Sequence, residues 1–219
     1  MSIRAAIRAG NALRLVGVAA MLAALLVLPA CWVTSINPLY DEGNIADSHN
    51  DPDVVFDQSL IGTWTKVGDQ CTTPLTITSK KEIYDLQSSE GKGEECAELD
   101  TPSHYQARLV KLDSHYFLDV FPLDDEVCGM CLAKHNIFLA KFDKATLSLT
   151  PIDSDWLKKS VEAKTVNLAT LGEDTDTITA SSKDLKAFCR KYADDAAVFP
   201  PDSASTFKRN AASAAAGPS

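Results

Sequence analysis

The chain has few of the features that assign a function on sight. Its one long apolar stretch runs from Leu15 to Leu28 and stops at Pro29. A spanning helix needs about 20 apolar residues, so a transmembrane anchor is not expected there. Basic residues are scarce: 21 Lys and Arg stand against 30 Asp and Glu, for a net charge of −9. Nucleic acid, which is gripped by clustered cations, is thereby disfavoured as a partner. The four histidines, His49, His104, His115 and His135, form no H-E-x-x-H pair. No G-x-S-x-G elbow, Walker loop or G-x-G-x-x-G turn occurs, so the common nucleophilic and nucleotide-binding chemistries have no foothold.

What is present begins at the N-terminus. Residues 1–14 carry Arg4, Arg8 and Arg14 without an acidic residue, and the apolar stretch follows at once. A basic segment, a short apolar segment and a small residue before a cut make a secretory signal peptide. The stretch ends in Leu28-Pro29-Ala30-Cys31. This quartet resembles the bacterial lipoprotein signal, although Pro29 departs from the small residues usual at its position. The resemblance implies cleavage before Cys31 and a diacylglyceryl group on its thiol. Several acyl chains hold such a protein stably, since each buried methylene contributes about 0.8 kcal/mol. Trp32 rather than Asp follows the cysteine, which favours the outer membrane where the host has one. Loss of three arginines takes the mature chain from −9 to −12. With so acidic a surface, the lipid and not electrostatic attraction to anionic headgroups must do the holding.

The expected organisation is a signal peptide over 1–30 and a lipid anchor and tether over 31–55. A β-rich domain over 56–202 and a disordered tail over 203–219 complete it. The tether is rich in Asn, Asp, Ser, Gly and Pro and lacks periodicity; the tail is low in complexity. Within the domain, residues 61–67, 75–79, 82–87, 104–112, 115–121, 137–142 and 146–152 read as strands, and 178–180 as a last short one. Asp113-Ser114 and Asp143-Lys144-Ala145 are short connections of the hairpin kind. Two helices are expected. Asp153 or Ser154 caps one in which Trp156, Leu157 and Val161 share a face. Ser181 and Asp184 open the other, with Leu185, Phe188, Cys189 and Tyr192 on one stripe. The fold class is therefore mainly β, an antiparallel small barrel or strongly curved sheet with two short helices, because closure removes exposed strand edges. A two-sheet sandwich is the alternative.

Five cysteines remain once Cys31 carries lipid: Cys71, Cys96, Cys128, Cys131 and Cys189. An exported chain meets an oxidising compartment, and an odd count leaves one thiol over. Cys189, on the helix stripe, is expected to be that buried residue. Cys71 with Cys96 and Cys128 with Cys131 are the preferred disulfides, though fifteen two-bridge arrangements exist. As a redox pair, Cys128-Gly129-Met130-Cys131 lacks the strand and helix N-terminus that lower a thiol pKa, and Asp124, Asp125 and Glu126 stand nearby. Cys128, Cys131 and His135 have the spacing of three metal ligands and would need a fourth from Cys71 or Cys96. Haem attachment is disfavoured by Leu132. No cofactor is expected. His104 and His115 flank one predicted hairpin and could face each other. Asp41-Glu42, Asp51 with Asp53, and Asp124–Glu126 are acidic loops without the alternation of a calcium loop.

Gly62-Thr63-Trp64 is similar to the entry of the lipocalin fold, where the glycine permits a tight entry and the Trp plugs the barrel floor. A broader likeness is to uncharacterised bacterial envelope lipoproteins. It is carried by residues 35–40 (SINPLY), 56–57, 60–64 (LIGTW), 104–122, 149–157 and 179–194. That resemblance implies a shared fold and brings no catalytic residue. The functional expectation is a lipid-anchored envelope domain of structural or interaction type. A lipocalin-like carrier of a small apolar ligand is the alternative, and an enzyme without a familiar motif is a third reading.

Overall fold

Short turns dictate most of the architecture. The computed structural model describes residues 32–41, 51–68, 74–88, 104–123, 134–171 and 174–210. Strands β4 (Pro74–Lys80) and β5 (Ile83–Ser88) meet through Lys81-Glu82, both with positive φ, as a two-residue hairpin loop requires. Strands β6 (His104–Leu112) and β7 (His115–Pro122) meet through Asp113-Ser114, again with Asp113 at positive φ. Strands β8 (His135–Phe142) and β9 (Thr146–Pro151) meet through residues 143–145. There the Asp143 carboxylate accepts the Ala145 and Thr146 N–H groups, each at 2.7 Å, and these bonds hold its pKa below the usual carboxylate value.

These hairpins join β3 (Gly62–Lys66) and β12 (Ser205–Arg209) in a closed antiparallel barrel of eight strands, in the order β8-β7-β6-β5-β4-β3-β12-β9 and back to β8. Closure rests on β12. It pairs with β3 through Phe207↔Lys66 and Arg209↔Trp64, and with β9 through Ser205↔Leu149 and Phe207↔Leu147. The disordered tail expected from Ser203 onward is thus corrected: residues 205–209 are the eighth wall of the barrel. Composition concealed them, because a short strand held on both sides by neighbouring ladders needs little apolar content of its own.

The tether is corrected as well. Within it, β1 (Thr34–Ser35) lies antiparallel to β8 and parallel to β11 (Asp174–Ile178), which in turn pairs with β10 (Thr170–Leu171). Val33, Ser35 and Leu39 are buried. Strand β2 (Val54–Val55) takes the edge of β6 at Leu109 and Val110, beyond the start of β5. The expected last strand at 178–180 is displaced to 174–178.

Two apolar cores result. One fills the barrel with inward residues such as Trp64, Ile77, Tyr84, Leu109, Leu118 and Leu147. The other covers the outer face of β6–β8, where Val110, Leu112, Phe117, Ile137 and Leu139 meet the helices and the segment around Leu39. Helix α1 (Ser154–Glu162) is capped by Asp153, which accepts the Trp156 N–H at 2.7 Å. Helix α2 (Ser182–Tyr192) is capped by Ser181. Leu157, Leu185, Phe188 and Cys189 are buried, and Trp156, Val161 and Tyr192 pack beside them, as their spacing predicts. Because both faces of β7 and β8 are covered, these strands read as continuous apolar runs rather than alternating ones.

Candidate functional site

One end of the barrel is sealed by a cation–aromatic plug. Gly62 enters β3 at φ 144°, a backbone region that side-chain-bearing residues rarely adopt. Trp64 is fully buried, and its indole N–H donates to the Leu60 carbonyl at 2.9 Å. Above its ring lies the Arg209 guanidinium, 4.2 Å from the ring centre. Arg209 also donates to the carbonyls of Lys144 at 2.7 Å, Ile61 at 2.6 Å, and Ser59. Trp64 is legible in the Gly62-Thr63-Trp64 sequence, whereas Arg209 carries no local signal beyond being an arginine near the C-terminus. Beside the plug, the buried Tyr84 hydroxyl donates to the Asp57 carbonyl at 3.0 Å and accepts the Asp57 N–H at 2.6 Å. Burial pushes its pKa up to about 12.

The opposite end is the mouth. There β3, β5, β7 and β9 finish and β4, β6, β8 and β12 begin, by the antiparallel register of neighbouring strands. Cys71, Cys96, Cys128 and Cys131 fall between those strand ends in sequence, and all four lie outside the described residues. So does Cys31. Cys189 is described, buried and unpaired. Burial pushes its thiol pKa well above the usual value, with the charge of Asp119 adding to the effect.

His135, the third member of the expected metal triad, is committed to a buried contact. Its Nδ1 lies 2.6 Å from the Asp119 carboxylate, whose other oxygen accepts the Leu39 N–H at 2.6 Å. The rings of Phe121 and Tyr40 flank it. A carboxylate on Nδ1 leaves Nε2 on the far side of the ring, the arrangement common to metal-bound imidazoles. Cys128 and Cys131 lie outside the described residues, and among those residues no group of His, Cys, Asp and Glu is placed to hold a metal. Ser35 stands opposite His135 in register, yet its hydroxyl donates to the Asn37 carbonyl at 2.7 Å and is buried. What the Asp119–His135 pair visibly does is pin residues 35–39 to the barrel wall.

His104 and His115 do not face each other. They stand at opposite ends of the β6–β7 hairpin, because β6 enters at the mouth with His104 while His115 follows the turn. His104 pairs with Asp85 at 2.9 Å and His115 with Asp194 at 2.9 Å.

Asp51 and Asp53, expected in an acidic loop, are instead an anchorage in which Asp51 is buried and Asp53 half-buried. Lys186 of α2 donates to Asp51 at 2.6 Å and to Asp53 at 2.9 Å, and Arg190 reaches Asp53 at 2.9 Å. The Asp51 side chain is 1% exposed. It also accepts the N–H groups of Asp41 at 2.7 Å and Asp53 at 2.9 Å. Burial alone would raise its pKa, but the bonds from Lys186 and the two amides outweigh it and hold the carboxyl below the usual value. Burial alone would lower the Lys186 pKa; its two carboxylate partners outweigh that and raise it. This cluster ties the segment before β2 to α2, and it was invisible in sequence because its partners are more than 130 residues apart.

Where β6 passes from β5 to β2, an open groove of about 500 Å³ is lined by Val54, Val55, Phe56, Lys81, Glu82 and Arg108. The Arg108 guanidinium sits 5.1 Å from the Tyr40 ring centre. Among the described residues no helix is long and apolar enough to cross a membrane. Comparison with protein-family models, with curated proteins and with solved structures finds no match to this chain.

Proposed function

We propose that this chain is a lipid-anchored protein of the bacterial envelope, held at the membrane through Cys31, whose barrel works as a structural or interaction module. The observation that favours this over ligand carriage is the filled barrel interior. Trp64, Tyr84, Leu109, Leu118 and Leu147 are each at most 1% exposed, and all pack in the interior core. An eight-stranded barrel is just wide enough for side chains to fill or for one small ligand, and here large side chains take the space. The leader, the lipobox and the likeness to envelope lipoproteins support the location. With Trp32 after the cysteine, the outer membrane is the proposed destination.

The second reading, a lipocalin-like carrier, draws on the sealed floor: Trp64 under Arg209 is a plug of the kind a ligand-holding barrel needs. Native mass spectrometry of protein extracted from membranes in mild detergent separates the two. The module reading expects the mass of the lipidated chain alone. A stoichiometric apolar ligand would overturn it in favour of the carrier.

Within the same reading, Cys71–Cys96 and Cys128–Cys131 are the proposed disulfides, supported by the strand ends that flank all four cysteines meeting at one rim. Thiol titration without reductant is expected to find no reactive group in the folded protein and one, Cys189, on unfolding. Two further thiols mapped to Cys128 and Cys131 would overturn the pairing.

A further inference from the structure

The lipid anchor, if Cys31 carries it as proposed above, is joined to the folded domain without a spacer. Trp32 is peptide-bonded to Cys31 and is itself described. Val33 beside it is buried, and β1 begins at Thr34. An extended residue spans only about 3.3–3.6 Å. The domain therefore cannot swing away from the bilayer, and the surface around Trp32 must lie at the headgroups.

That surface is identifiable. Strand β9 follows β8 up to the Pro151↔Phe138 pair, and β1 takes over at Asn136 and His135. Trp32, two residues before β1, lies where β9 ends, at the barrel mouth. Its ring meets the inward-facing Phe138 edge-on, with centroids 5.4 Å apart. Trp32 is nevertheless 57% exposed. Val67, 48% exposed, follows β3 at the same open end, its N–H bonded to Thr206 at the start of β12. Among the described residues the third large exposed apolar side chain, Leu171, lies on β10, in the branch that β1 and β11 extend from β8.

We infer that the edge where β1 approaches the end of β9, led by Trp32, docks on the bilayer surface. An indole at the boundary of headgroup and acyl chain keeps its ring in apolar surroundings and its N–H in polar ones, which is why Trp gathers there. The acidic domain supplies no electrostatic grip, so an apolar contact next to the lipid is the contact available.

The test uses the full lipidated protein in phosphatidylcholine vesicles whose acyl chains carry bromine, a short-range quencher of indole fluorescence. Wild-type fluorescence is expected to be quenched. Trp32→Phe is expected to lose most of that quenching, and Trp156→Phe to retain it. Mass analysis of the N-terminal peptide is run on the same samples. A lipidated Cys31 with quenching unchanged by Trp32→Phe, or with none in the wild type, overturns the orientation and leaves the anchor standing. An unmodified Cys31 overturns the anchor and, with it, the docking that depends on it.

Discussion

Truncation after Ser203 is expected to abolish cooperative folding, whereas truncation after Asn210 keeps the wild-type transition. The shorter chain lacks β12, which pairs with β3 on one side and β9 on the other. Without it the barrel opens and both neighbours become unpaired edges, a state prone to association. Phe207 leaves the interior, and Trp64 loses the Arg209 guanidinium that lies over it. The combined loss is on the order of 5 kcal/mol or more, comparable with the whole stability of an ordinary domain. Arg209→Ala isolates the plug. A desolvated cation–π contact is worth about 2 kcal/mol, and leaving carbonyl partners without a donor adds about 1 kcal/mol or more. Arg209→Lys should recover only part, because an ammonium cannot reproduce a planar fork that serves several carbonyls at once. Urea denaturation followed by circular dichroism reads all four chains. A native-like transition in the chain ending at Ser203 would refute the closing role of β12.

Lys186→Met should cost about 3–5 kcal/mol, the usual penalty for removing one member of a buried ion pair. The Asp51 carboxylate would stay buried with two backbone N–H donors and no counter-ion. Adding Asp51→Asn to Lys186→Met removes the stranded charge and is expected to return a substantial part of the loss. A double variant no more stable than the single one would argue against charge burial as the cause. The same cluster fixes a pH dependence. Asp51 is depressed in the folded state, so its contribution is complete above the unfolded carboxylate pKa of about 3.9 and fades as pH falls through the lower folded value. Lys186 is raised, so its contribution is complete below the unfolded lysine pKa of about 10.4 and fades as pH rises through the higher folded value. Between these limits the cluster gives a plateau, and the double variant should flatten both shoulders in denaturation midpoints measured across pH.

Local chemistry accounts for what is legible in the sequence. The Asp113-Ser114 and 143–145 turns, the Asp153 and Ser181 caps and the stripe ending in Tyr192 all depend on residues within a few positions of one another. Short runs of β-branched and aromatic residues between turn signals likewise marked the strands from 61 to 152. Gly62-x-Trp64 marked the sealed end, because the glycine's φ is a property of its own backbone. The missed elements share the opposite character. Strand β12 is five residues of mixed composition, and β1 and β2 are two residues each. Such segments acquire strand geometry only when a pre-existing edge offers them hydrogen bonds.

By itself the sequence determined an acidic β-rich domain, its hairpin turns, its two capped helices and the burial of Cys189. Tertiary structure alone decided that the barrel closes through residues 205–209, that Arg209 covers Trp64, and that Lys186 meets Asp51 across 135 residues. It also packed residues 33–40 of the expected tether against the folded domain. The physical reason is range. Turns and caps are settled by bonds between near neighbours, whereas closure, plugging and anchorage are settled by partners that only the completed chain brings within hydrogen-bond distance.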